Sequence, residues 1–508
     1  MSLRTIGIIS VALLLFGWSA TAAIPRTKAQ ATVDEVCSRP PLASSAVGVF
    51  ALRMDGDTLA SYNSRTKLVP ASNMKLITTG LALSTLGADF RFETRLGYSG
   101  EISDGVLHGD LYIIGGGDPT TGSKSDCAEP LQAVFGSWHK LLSAAGITSI
   151  DGRVIADPRY FHTVTPEGMG WTYDDLGTNY GAGPVGLNFF ENAQNFLITP
   201  GTEGEAPTIS PRYPDTPWMS WSNHALTGKA RTRNTVYYIN THLAPIGEFG
   251  GSFPSDRKGY TLECSNRFAP YTCAYYFYNY LKDKGVEAKD GYADVSPSGY
   301  VRSTPGVLDE GEKASQAADL TILGSTYSPK LSLIAHDTNC QSDNFFAETL
   351  LKTLAVRKGY ASDYDSCVAA AEDALSALGL NPASGCRIFD GSGLSRKNYV
   401  SASFFVNFLI RMASSPVSEA YIASLPYPGG KGTLEFKFPS ASAELRSRIR
   451  MKSGSMNGIL CYSGYILPTD GDPAHTIVFS VLTNNSVGLS WVITPPIDRI
   501  IESLAAEN

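Results

Sequence analysis

Ser72-Asn73-Met74-Lys75 sets a hydroxyl and an amine three residues apart. On a helix that spacing puts both side chains on one face, within reach of each other. A serine hydroxyl is a poor nucleophile until a neighbour takes its proton. A lysine that is partly desolvated and crowded by other cations is neutral often enough to take it. The pattern therefore offers acyl transfer, with Ser72 attacking and Lys75 accepting the proton. Two further triplets carry groups such a site needs. Ser342-Asp343-Asn344 supplies a hydroxyl and an amide that point the same way in an extended loop. Lys452-Ser453-Gly454 supplies a second cation and a glycine, two apart and so on one face of a strand. Gly454 reads as the point where a substrate backbone passes close to the strand edge.

Each triplet alone is common. S-x-x-K recurs at Ser64/Lys67, Ser137/Lys140 and Ser255/Lys258, and S-x-N recurs at Ser61/Asn63 and Ser455/Asn457. Only Ser72 follows a predicted hairpin and opens an apolar helix after a proline, Pro70. Lys452-Ser453-Gly454 is the sole K-[ST]-G, and it begins inside a predicted strand. Cofactor chemistry is not expected. The seven histidines form no HxH or HExxH and the eight cysteines no CxxC, so no metal site is expected either. His336, near Ser342, has no acid paired with it in the pattern and reads as structural. Gly115-Gly116-Gly117-Asp118-Pro119 lacks a following G-x-x-G or GK[ST] and reads as a turn, not a phosphate loop.

The elements that must position these groups come from both ends of the chain. Residues 47–52 and 58–62 read as strands around an Asp55-Gly56 turn, and 72–86 as a helix. Residues 448–452, 458–467 and 476–482 read as three more strands, with turns at Asp470-Gly471 and Asn484-Asn485 and a closing helix over 491–505. Neither end has enough strands for a sheet alone. Together they give an α+β fold, a five-stranded antiparallel sheet with flanking helices. Residues 32–90 and 305–508 would form this domain. Residues 91–304 would be a large inserted β-rich region, with a nested small β module at about 194–260. From 316 to 424 the pattern turns helical, clearest at 344–358 and 364–378. The insertion carries an echo: Gly146-Ile147-Thr148-Ser149-Ile150-Asp151-Gly152 and Gly285-Val286-Glu287-Ala288-Lys289-Asp290-Gly291 both spell G-[IV]-x-x-x-D-G, either a duplicated helix–strand unit or chance. The aromatic run 271–280 reads as a buried helix face.

The chain's 508 residues exceed one core and imply two to three domains. A net charge of −7 gives no basic footprint for nucleic acid. Arg4 and the apolar residues 6–18, too short for a span, mark residues 1–22 as a signal peptide. Cleavage falls before Ala23, or as late as residue 31 after Ala29-Gln30-Ala31. No other run is long enough to cross a bilayer, so the expected location is periplasmic or extracytoplasmic, with no integral membrane span after signal removal. Export permits disulfides, and proximity favours Cys264–Cys273.

The three motifs resemble the active-site set of penicillin-binding proteins and serine β-lactamases. The wider chain resembles the penicillin-binding protein 4 type of D-alanyl-D-alanine carboxypeptidase and endopeptidase, peptidase family S13. The likeness is carried by Pro70-Ala71-Ser72-Asn73-Met74-Lys75, the 115–119 glycine turn, residues 171–188 around Tyr180-Gly181-Ala182, the run Asp390-Gly391-Ser392-Gly393-Leu394-Ser395-Arg396, and the 425–434 stretch. The resemblance implies a penicillin-binding, β-lactamase-like transpeptidase domain and hydrolysis of peptidoglycan stem peptides ending in D-Ala-D-Ala, with covalent capture of β-lactam antibiotics. It implies Ser72 as the acylated nucleophile, Lys75 as its base, Ser342 and Asn344 as proton relay and amide holder, and Lys452 completing the positive cluster. Ser453 and Gly454 would line the substrate. The N–H groups of Ser72 and Ser455 would make the oxyanion hole. Arg396 and Asn457 resemble positions that bind the terminal carboxylate of D-alanine. Asp175 resembles an aspartate that reaches the free amino group of diaminopimelate, with Tyr180 packing beside it. Local readings compete: Asp174 and Asp175 as a helix cap, Arg396 as a surface ion-pair partner. A β-lactamase and a non-catalytic peptidoglycan-binding protein remain alternatives, and a homodimer is left open.

Overall fold

The computed structural model describes residues 27–161, 170–306, 311–488 and 490–507. The two ends of the chain meet in one antiparallel sheet, in the order Thr58–Tyr62, Ala46–Arg53, Ile477–Asn484, Ile459–Ile466, Ile449–Met456. The strands Ile459–Ile466 and Ile477–Asn484 are buried at every position. Both faces of the sheet are covered, which is why these strands read as unbroken apolar and small residues and not as an alternation.

One face packs on the helices Lys28–Cys37 and Ser490–Ala505, through Val33, Ile497, Ile501 and Leu504 against Ile466 and Phe479. The other packs on Met74–Leu86 and Ala402–Ala413. The signal peptide expected at 1–22 lies outside the described residues. The later cleavage point falls inside the Lys28–Cys37 helix, whose Ala29 and Gln30 are buried. Ala29 N–H donates to Glu507 Oε1 at 2.9 Å, and Gln30 Oε1 accepts from Ser61 N–H at 2.7 Å. A cut at 31 would destroy these ties; a cut before Ala23 leaves them whole.

Around Met74–Leu86 gather the helices Leu331–Cys340, Asn344–Arg357 and Tyr364–Ala377. Asp343 and Asp363 cap the last two, accepting from Phe346 N–H at 2.7 Å and Ser366 N–H at 2.9 Å.

The middle region builds a six-stranded sheet, Val301–Arg302, Tyr292–Val295, Val154–Asp157, Leu111–Ile114, Glu93–Tyr98, Thr321–Tyr327. Thr321–Tyr327, which falls in the stretch expected to be helical, pairs antiparallel with Glu93–Tyr98, so this sheet runs past residue 304. The pairing partner lies far away in sequence, and no local signal announces it. The two G-[IV]-x-x-x-D-G segments lie side by side: Ser149–Ile150 pairs in parallel with Glu287–Ala288, and Val154–Asp157 with Tyr292–Val295. Each follows a helix, Leu131–Ala144 or Ala269–Asp283, and both helices pack on one sheet face through Trp138, Leu142, Phe277 and Leu281. The echo is therefore a repeated helix–strand unit in space. Small sheets centred on Ala193–Thr199 and Ile246–Gly250 enclose Phe196, Tyr238 and Phe249.

All eight cysteines are free. The pairing expected for Cys264 and Cys273 is not formed: one lies on the strand Tyr260–Ser265, the other on the helix Ala269–Asp283, each buried among apolar neighbours. Among the described residues no helix is long and apolar enough to cross a membrane.

Candidate active site

Ser72 sits in a short 3-10 turn, Ala71–Asn73, just before the helix that starts at Met74. Ala71 adopts φ +46°, a left-handed conformation that a non-glycine residue holds only when its surroundings enforce it. The enforcing contacts are visible. Asn73 Nδ2 donates to Ser463 Oγ at 2.8 Å, and Ser463 Oγ donates on to Ser480 Oγ at 2.8 Å, tying the turn to the sheet. A Cβ on Gly454 would lie 2.6 Å from Pro70 O and 2.9 Å from Asn73 N. Gly454 is thus required by the nucleophile turn. The sequence reading assigned its missing side chain to a passing substrate, but its open side is already filled by the chain itself.

Lys75 is fully buried, with Nζ 3.0 Å from Ser72 Oγ, 2.6 Å from Asn344 Oδ1 and 2.8 Å from the Ser392 carbonyl. Asn344 Nδ2 donates to the Tyr180 carbonyl at 3.2 Å, which fixes its Oδ1 toward the lysine. Two of the three partners of Nζ only accept. A neutral amine has two N–H groups for them and one lone pair, which then faces the Ser72 hydroxyl. Burial pushes Lys75 down to about 8, against the opposing pull of Asp343, Glu348 and Asp390. At pH 7 a group titrating near 8 is neutral in about one molecule in ten, against about one in three thousand at the ordinary value near 10.5.

Lys452, also fully buried, places Nζ 2.9 Å from Ser342 Oγ and 2.8 Å from the Ser453 carbonyl. Burial, and next the charge of Lys75, hold it well below its ordinary value. Ser342 and Asn344 converge by a different route from the extended loop expected. Ser342 is left-handed at φ +60°, Asp343 is the helix cap, and Asn344 is the first residue of the helix. Ser72, Lys75 and Asn344 form one hydrogen-bonded group and Ser342 and Lys452 another; the two adjoin through the chain at 342–344 and through the charge of Lys75 acting on Lys452.

Ser453 Oγ donates to Thr433 Oγ1 at 3.2 Å. Ile449–Met456 is the sheet's edge strand, and Met456 pairs with Ile459 across a two-residue turn. That pair and every second one before it exchange hydrogen bonds, so the backbone of Ser453 and Ser455 faces the open edge. Ser455 is exposed there, and Asn457 is exposed in the turn itself. Arg396 is exposed and makes no ion pair among the described residues. Asp175 does not cap a helix: Oδ2 accepts from Thr172 N–H at 3.0 Å and Thr172 Oγ1 at 2.6 Å, closing a turn. Tyr180 presents its carbonyl to Asn344 and is 43% exposed beside the cleft.

Sequence reasoning missed Glu348. Fully buried, it accepts from Gly391 N–H at 3.0 Å, Ser392 N–H at 2.7 Å and Tyr364 Oη–H at 3.2 Å. It pins the loop whose Ser392 carbonyl meets Lys75. Burial, and next the charge of Asp390, push it up to about 7. Asp390, equally buried, accepts from Trp171 Nε1 at 2.8 Å and from Gly393, Ser395 and Asn398. The only signal was a charged residue amid Phe345, Phe346, Leu350 and Leu351. His336 does have an acid partner: Nδ1 lies 3.1 Å from Asp337 Oδ1, and that contact raises it to about 10. Gly115 and Gly116 do not form the expected turn; they lie in a segment with no regular structure where other backbone passes close, since a Cβ on them would lie 2.2 Å from Gly186 O and 2.1 Å from Glu93 O.

The family model of the D-Ala-D-Ala carboxypeptidase 3 (S13) family matches residues 29–499. The chain belongs to that family. As an S13 member it is a serine-type D-Ala-D-Ala carboxypeptidase by class. Its relatives include the D-alanyl-D-alanine carboxypeptidase of Actinomadura sp. (strain R39), 29% identical over 482 residues, covering 91% of this chain and 82% of the relative. The D-alanyl-D-alanine carboxypeptidase DacB of Haemophilus influenzae is 24% identical over 490 residues, covering 94% and 93%. Among solved structures, penicillin binding protein 4 of Haemophilus influenzae superposes with a TM-score of 0.76 at 21% identity, covering 94% of this chain and 98% of that one. The S13 chain therefore has the penicillin-binding protein 4 fold. That Haemophilus protein has also been solved complexed with a novel β-lactam.

Proposed function

We propose that this S13 peptidase is an exported enzyme that hydrolyses peptidoglycan stem peptides through an acyl-enzyme on Ser72, as a carboxypeptidase on D-Ala-D-Ala ends and an endopeptidase on cross-links. The observation that carries the reading is the 3.0 Å approach of a buried, depressed Lys75 amine to the Ser72 hydroxyl. Lys75 Nζ takes the proton as Ser72 Oγ attacks the carbonyl carbon of the penultimate D-alanine. The developing oxyanion is received by the N–H groups of Ser72 and Ser455, the latter on the open strand edge. An extended stem peptide adds beside that edge as a further strand. The C–N bond then breaks, and the leaving amine takes a proton relayed through Ser342, which Lys452 orients at 2.9 Å. Water attacks the ester and restores Ser72. Asn344 and Ser453 would hold the substrate, with Gly454 letting the nucleophile turn pack against its strand; Arg396 and Asn457 would meet the terminal carboxylate and Asp175 and Tyr180 the cationic side chain of the stem.

A β-lactam mimics the D-Ala-D-Ala carbonyl and would acylate Ser72 in the same way. Rapid release of that adduct requires a base that activates water, and a carboxylate is one candidate. Glu348, the buried carboxyl beside the Ser392 loop, has both oxygens occupied by Gly391, Ser392 and Tyr364 and so is not free to serve as that base, which supports the peptidase reading. The test is release of D-alanine from a stem pentapeptide and cleavage of a cross-linked dimer by the mature protein. Both activities should vanish in Ser72→Ala. Peptidoglycan binding with neither activity in the wild type would sink the proposal.

A further inference from the structure

The middle region holds a second cavity of about 440 Å³, away from Ser72. It opens at the carboxyl ends of three neighbouring parallel strands, where Ile114, Asp157 and Val295 are the last residues of Leu111–Ile114, Val154–Asp157 and Tyr292–Val295. In sheets with helical crossovers, ligands bind at that end of the strands. Pro270, in the first turn of the 15-residue helix Ala269–Asp283, also lines it and brings the positive end of the helix dipole.

Four arginines line the cavity, Arg95, Arg159, Arg267 and Arg302, against two aspartates, Asp157 and Asp294. The aspartates are buried and fully engaged in place. Asp157 accepts from Arg159 Nε at 2.8 Å and Nη2 at 2.7 Å, and Asp294 from Arg302 Nε at 2.9 Å and Nη2 at 2.7 Å. These pairs lock two guanidinium groups by one edge. Arg95, half-buried on Glu93–Tyr98, makes no side-chain hydrogen bond or ion pair among the described residues. A planar fork with five donors in a concave site, with positive charge in excess, matches an oxyanion. Val185, Pro158, Phe161 and Pro297 supply apolar wall, which suits an anion carried on a peptide over a bare one.

We propose that this cavity is a second peptide site, which takes a free carboxylate of a peptidoglycan stem on Arg95, with Arg159 and Arg302 beside it. The choice of peptide rests on the proposed function; the anion site does not. Hydrogen exchange tests it with the mature protein and a product tetrapeptide stem, which has no D-Ala-D-Ala bond left to cut. The peptide should slow amide exchange in segments 93–97, 157–161 and 292–302 at least about fivefold. Arg95→Gln should abolish that protection, and Arg95→Lys should retain part of it, with circular dichroism and melting curves showing both folded. A distant control, Arg39→Gln, should change nothing. Equal protection by the fully amidated peptide, equal protection by inorganic phosphate at matched ionic strength, or protection that survives Arg95→Gln would each overturn the proposal. Penicillin labelling of the wild type, read separately, shows whether the active-site reading fails independently.

Discussion

Gly454→Ala isolates the contact between the Lys452 strand and the nucleophile turn. The new methyl would sit 2.6 Å from Pro70 O and 2.9 Å from Asn73 N, where ordinary contact begins at 3.4 Å. Strand or turn must therefore yield by 3.4 minus 2.6, or 0.8 Å. Both offending atoms are backbone, so no side chain can swing aside. The turn carries Ser72 and is tied to the same sheet by the Asn73–Ser463–Ser480 chain, so the shift is passed to the hydroxyl. A misplacement near 1 Å costs about a hundredfold in rate, or about 2.7 kcal/mol of barrier. Overpacking should also cost about 1–3 kcal/mol of stability. The assay is the second-order acylation rate with a fluorescent penicillin, beside a thermal melt. A folded Gly454→Ala enzyme that acylates within twofold of wild type would refute the claim that this glycine serves the turn.

Three further outcomes are expected. Because Lys75 titrates near 8, acylation should rise about tenfold from pH 7 to pH 9, with a midpoint near 8; a flat or falling profile counts against Lys75 as the base. Glu348→Gln replaces a carboxyl whose two oxygens accept from Gly391 and Ser392 with an amide whose NH2 opposes one of those N–H groups. It should cut acylation about 10- to 100-fold and stability by about 1–3 kcal/mol, read by stopped-flow labelling and melting, and unchanged values would sink its positioning role. His336 is raised from 6.5 to about 10 by Asp337, so its pairing stabilises fully below pH 6.5 and is lost as pH climbs through 10. Asp337→Asn should therefore lower the melting temperature more at pH 6 than at pH 10.5, and an equal loss at both would contradict the pair.

What the sequence discloses here follows the range of the interactions. The five strands of the main sheet were readable because each carries its own apolar run and sharp turns such as Asp55-Gly56. The helices 344–358 and 364–378 were readable because acids cap them and apolar faces repeat. The three motifs were readable because each packs its chemistry within four residues. Thr321–Tyr327 was hidden because its partner lies over two hundred residues away. Glu348 was hidden because a carboxylate in a helix ordinarily faces water, and only the fold brings Gly391 and Ser392 to it. His336 was misread because adjacent residues on a helix seldom face each other, yet its ring folds back on Asp337. Gly454 was visible as necessary, but whether substrate or chain fills its missing side chain is a three-dimensional fact.

The central claim is that one hydroxyl, deprotonated by one buried amine, forms the covalent intermediate. Peptide mapping by mass spectrometry after penicillin treatment tests it most directly. A single penicilloyl adduct on the peptide containing Ser72, absent from Ser72→Ala, is the predicted result; an adduct on any other residue, or none on the folded wild-type protein, would contradict the account.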